Sequence, residues 1–117
     1  VINRFLCAVL ALLALTACAN DPAPTEQMRL SEQAVTQARA VGADEQVPEL
    51  VLAEDKLKRA QAAMAAEAFK EARVLAEQAE LDARLAEARV VTAKSQEQLS
   101  ELSKRINRLR RQLGDLQ

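Results

Sequence analysis

Apolar and polar positions divide the chain into stretches of different period. Residues 5–15 are apolar without a break, from Phe5 to Leu15. A short polar segment, Asn20-Asp21-Pro22-Ala23-Pro24, follows, and its two prolines disfavour helix. From Thr25, a candidate N-cap, Leu30, Ala34, Ala38 and Val41 recur at helical spacing and predict a first helix over 25–41, closed by Gly42. Asp44-Glu45-Gln46-Val47 reads as a loop, with Pro48 in the first turn of the next helix. Beyond Pro48 there is no Gly or Pro until Gly114.

Two seams occupy that long segment. Leu50, Ala53, Leu57, Ala60 and Met64 alternate in steps of three and four, and so do Phe69, Ala72, Ala76, Ala79, Ala83, Ala86, Val90 and Ala93. Each fits one face of a helix at the shallow crossing angle of a bundle. Met64 and Phe69 are five residues apart, which breaks the phase. A hairpin bent near Ala66-Glu67-Ala68 explains the break. One unbroken helix from Pro48 to Leu113 is the alternative, but alone it would bury almost nothing. The expected fold is all-α: a helical hairpin or small antiparallel bundle whose long last helix ends in coiled-coil-like heptads.

Composition narrows the chemistry. The chain has no His, Trp or Tyr and only two Phe. It therefore lacks the commonest general base and transition-metal ligand. Glu77, Glu80 and Glu87, three and seven residues apart, are read as solvated charges on exposed helix faces. No catalytic constellation, metal site or cofactor site is expected, and the chain is read as non-enzymatic.

The apolar run has the length of a secretory core and is too short to span a bilayer, which takes about 20 residues. It ends in Leu15-Thr16-Ala17-Cys18, which resembles the lipobox of bacterial lipoproteins. That resemblance implies cleavage after Ala17 and a covalent diacylglycerol thioether and acyl amide on Cys18. Several acyl chains, at about 0.8 kcal/mol per buried methylene, make a lasting anchor. Ala19 in place of the Asp that commonly retains lipoproteins at the inner membrane implies the periplasmic face of the outer membrane. Residues 1–17 are thus read as a signal peptide, 18–24 as a lipidated tether, 25–98 as an Ala-rich hairpin domain and 99–117 as a basic heptad end.

That end carries its own pattern. Leu99, Leu102, Ile106, Leu109, Leu113 and Leu116 form a heptad seam flanked by Lys104, Arg105, Arg108, Arg110 and Arg111. Residues 104–117 hold five cations and one carboxylate, although the whole chain has a net charge of only −1. The seam either packs against the first helix or forms a coiled coil. In a parallel homodimer Arg105 would oppose Arg110, a like-charge pair. The five cations are therefore candidate contacts for an acidic protein, anionic lipid or cell-wall polymer. Nucleic acid is not an expected partner for a secreted chain.

The stretch "AAMAAEAFKEARVLAEQAELDARLAEA", with Ala66, Phe69, Ala72, Ala76, Ala79 and Ala83 at the characteristic positions, resembles the bacterial envelope lipoproteins of the domain-of-unknown-function family 4398. The resemblance spans about residues 25–95 and implies an Ala-rich helical hairpin. Glu67 stands near the turn, where members commonly have Gly. The function expected is that of a lipid-anchored periplasmic scaffold or spacer. The alternative is a binding module that works through the bundle or its basic end.

Overall fold

The computed structural model describes residues 21–114, so the expected signal peptide, Ala17, Cys18 and Leu116 lie outside the described residues. Three helices make up the rest: α1 over Thr25–Ala40, α2 over Pro48–Ala65 and α3 over Phe69–Gly114. There are no strands among the described residues. The bend expected near Glu67 is present, and the unbroken-helix alternative is excluded.

Both turns are built the same way. At the end of α1, Gly42 N–H donates to Arg39 O and Ala43 N–H to Ala38 O, at 2.9 and 3.0 Å. At the end of α2, Glu67 N–H donates to Met64 O and Ala68 N–H to Ala63 O, at 3.1 and 2.9 Å. This paired pattern satisfies the last helical carbonyls and needs a left-handed residue. Gly42 supplies it at φ 101° and Glu67 at φ 57°. The first helix begins differently from expectation. Thr25 is its first helical residue rather than its cap, and Pro24 holds the cap position with no side-chain hydrogen bond. Met28 N–H donates to the Pro24 carbonyl at 3.0 Å, so the backbone closes that turn.

Cross-helix polar contacts define the register. Lys56 of α2 meets Asp82 of α3 at 2.6 Å, and Glu49 of α2 accepts from Arg89. Residue numbers fall on one helix as they rise on the other, so α2 and α3 are antiparallel. Gln27 of α1 donates to Glu80 of α3 at 2.7 Å, and Gln37 to Glu87 at 3.3 Å. Helix α1 thus runs parallel to α3, completing an up-down-up bundle.

The core is a narrow seam of small side chains. Ala38, Ala53, Ala60, Ala72, Ala76, Ala79, Ala83 and Ala86 are all fully buried, and Leu50 is the largest side chain wholly inside. Alanines permit close helix axes but remove little area from water apiece, so stability accrues over length. On α1 the buried face is Met28, Ser31, Val35 and Ala38. Of the expected face, Ala38 is fully buried, while Leu30, Ala34 and Val41 are only half-buried. Ser31 escaped the pattern because it is polar, yet its hydroxyl donates to its own helix at Gln27 O (2.6 Å) and lies 3.1 Å from Met28 O. Satisfied in that way, it packs as a small residue.

The last helix outruns the bundle. Every residue from Val91 to Gly114 is exposed, including Leu99, Leu102, Ile106, Leu109 and Leu113. The tail seam therefore does not pack against α1, which ends too early to reach it. The helix also passes through residue 98 without a break, and its surroundings change earlier, at Val91.

Candidate functional site

Two regions could carry function: the point where the tether joins the bundle, and the surface of α3. At the first, Arg73 Nη2 donates to the Pro22 carbonyl at 3.4 Å, and Pro24 is buried. The N-terminal segment is thereby laid beside the α2–α3 turn. Asp21, Glu67, Phe69, Lys70, Val74 and Leu75 line an open cleft there. The expected lipid-attachment residue, Cys18, and the cleavage residue, Ala17, precede this segment and lie outside the described residues.

The five cations of the tail do not form a single patch. At 100° per residue, Lys104, Arg108 and Arg111 share one face of α3. Arg105 and Arg110 stand on either side of the leucine seam, and Arg105 Nε lies 3.6 Å from Glu101. All five are exposed. A ligand approaching from one side therefore meets three of them.

Helix α3 also has an apolar face that sequence reading placed too short. Upstream of Leu99 the same three-four alternation continues through Ser95, Thr92, Ala88, Leu85, Leu81, Gln78 and Val74. Leu81, Leu85 and Val74 are about half exposed or more, on the side of α3 away from the buried alanines. Small residues at 88, 92 and 95 hid the continuity, because only the spacing carries through them. Leu85, Ala88, Thr92 and Gln96 line a shallow groove there, bounded by Glu49 and Arg89.

Of the three carboxylates expected on open faces, Glu77 is exposed, while Glu80 and Glu87 are half-buried. Glu80, expected on an open face, has a side chain only 16% exposed. Arg84 donates to its Oε1 at 2.9 and 2.6 Å, and Gln27 to its Oε2 at 2.7 Å. These bonds, Arg84's first, hold its carboxyl below the ordinary glutamate range, while partial burial opposes them. Arg29 does the same for the exposed Glu26. Among the described residues, no group of three His, Cys, Asp or Glu converges to hold a metal, and no helix is long and apolar enough to cross a membrane.

The model of DUF4398, a domain of unknown function, matches residues 26–102. The chain belongs to the DUF4398 family. A crystal structure of a DUF4398 family protein from Pseudomonas aeruginosa PAO1 is similar to it at 64% identity with a TM-score of 0.80, covering 82% of this chain and all of that one. No curated protein matches. The DUF4398 membership agrees with the resemblance seen in the Ala-rich stretch, and the bundle accounts for the pattern: Ala72, Ala76, Ala79, Ala83 and Ala86 are all fully buried.

Proposed function

We propose that this DUF4398 protein is a non-enzymatic scaffold of the bacterial cell envelope, held to a membrane by lipid on Cys18. The observation that carries the reading is the bond from Arg73 to Pro22, which ties the tether to the turn end of the bundle. From Arg73 to Gly114 the helix runs for about 60 Å at 1.5 Å per residue. An anchor attached a few residues before Asp21 thus holds one pole of a rod and leaves its apolar and basic surfaces free. Leu15-Thr16-Ala17-Cys18 supports the anchor itself, and Ala19 supports the periplasmic face of the outer membrane.

Labelling with a palmitate analogue tests this reading. The native protein should take up label and fractionate with outer membrane, and Cys18→Ser should do neither. An intact mass showing an unmodified Cys18 would overturn the anchor and the location together.

The common face of Lys104, Arg108 and Arg111 favours a second reading, a module that binds an acidic protein, anionic lipid or cell-wall polymer. Replacing all three by Gln should then release the protein from that ligand in a co-sedimentation assay. It should leave the helical signal unchanged.

A further inference from the structure

We propose that the outer face of α3 pairs with a second copy of this chain, antiparallel, with Ser95 of one copy against Leu99 of the other. The seam has bulky residues at 81 and 85, small ones at 88, 92 and 95, and bulky ones again from 99 to 113. A parallel pair would set like against like, leaving three successive thin layers of Ala, Thr and Ser in its middle. The antiparallel register fills them. Leu99 meets Ser95, Leu102 meets Thr92 and Ile106 meets Ala88, while Leu109 and Leu113 meet Leu85 and Leu81. The groove beside Ala88 and Thr92 is the concavity this register would occupy.

Charge selects the same arrangement. In a parallel pair the charged flanking contacts are Glu77 with Asp82, Arg84 with Arg89, and Arg105 with Arg110, each of like sign. In the antiparallel register Arg110 comes beside Asp82, twice by symmetry, and adds a second cation to a carboxylate that Lys56 of α2 already holds at 2.6 Å. Arg84 faces Gln112, Arg89 faces Ser103 and Arg105 faces Val91, so no like charges meet. Helices α1 and α2 cover the opposite side of α3 and leave this face open.

The contact, from Leu81 to Leu113, is about 48 Å long and about 10 Å wide on each copy. That gives on the order of 1,000 Å² in total, near the lower limit for a specific interface, so a dimer of micromolar stability is expected. The turn ends then lie at opposite poles, about 85 Å apart. Tethered at both, the dimer would lie along a membrane.

A chain beginning at Asp21 holds all three helices and no native cysteine. It can be studied alone because the whole chain of the solved relative corresponds to 82% of this one. Sedimentation equilibrium should show a reversible monomer–dimer system. Arg110→Glu should weaken it about twofold or more at low salt, since the new carboxylate would stand beside Asp82 at both ends, with Lys56 offsetting part of the repulsion. In a parallel dimer the same change would tighten association. Mixed under oxidation, Ser95→Cys and Leu99→Cys proteins should form mainly the mixed disulfide. A monomer at 0.5 mM (roughly five hundred times a 1 μM dissociation constant), a tighter Arg110→Glu dimer, or predominant Leu99→Cys homodisulfide would each overturn the proposal. Circular dichroism of each variant should match the parent, because residues 95, 99 and 110 are exposed in the monomer.

Discussion

Lys94 Nζ donates to the backbone carbonyl of Val41 at 2.6 Å, joining α3 to the end of α1 across 53 residues of sequence. The last carbonyls of a helix have no partner within it, and they carry the negative pole of its dipole. Lys94 answers both needs. Lys94→Met should lower stability by about 0.5–1 kcal/mol, a modest loss because the side chain is exposed. Thermal unfolding followed by circular dichroism would measure it. Gly42→Ala in the same turn should cost about 1–2 kcal/mol, because φ there is 101°. An added Cβ also comes within 3.0 Å of Lys94 Nζ, but that flexible end can move aside. The Gly42→Ala loss should therefore persist in the Lys94→Met background.

Glu67 offers the opposite experiment. It holds the left-handed position of the second turn at φ 57° and is exposed. Glu67→Gly should stabilise the hairpin by up to about 1 kcal/mol, the left-handed penalty less the greater entropy of an unfolded glycine. A fall in the denaturant midpoint would show that the Glu67 side chain contributes more than the turn strain costs.

The alanine seam predicts asymmetric responses to size. Leu50→Ala removes the largest wholly buried side chain and should cost about 2–5 kcal/mol. Ala83→Leu should also destabilise, by about 1–3 kcal/mol, since Ala83 packs in one cluster with Val35, Leu50 and Ala53. Urea unfolding of both variants, with unchanged slope, would check that the native packing is the cause.

Acid should weaken the bundle through Glu80. Its folded pKa lies below the ordinary value of 4.5, chiefly through Arg84 and then Gln27. The stabilisation is fully present above the unfolded value and is lost as pH falls through the folded one. Stability should thus decline below about pH 4.5, and Glu80→Gln should flatten part of that decline. Arg29 lowers Glu26 in the same direction, so the comparison with the parent isolates Glu80.

The helices and their bend were legible in the sequence because spacing alone encodes them. A five-residue step from Met64 to Phe69 breaks the seam phase, and the turn falls there. The buried face of α1 was legible only at Ala38. It turns on Ser31, whose burial depends on a bond to its own backbone that no hydropathy pattern reveals. Glu80 was misread for a related reason. Its partner Gln27 is 53 residues away, and sequence spacing cannot show which carboxylate a neighbouring helix will cover. The outer seam of α3 was seen only from Leu99 onward, because Ala88, Thr92 and Ser95 keep its period while losing its hydrophobicity.

Helix α3 continues from the bundle to Gly114 with no proline, and no glycine before that last residue. From Lys94 to Gly114 it is an arm of about 30 Å with no hinge. A 10° tilt of the bundle therefore carries the far end sideways by about 5 Å, half the spacing of packed helices. The direction of the tip is thus fixed by the orientation of the bundle at its base.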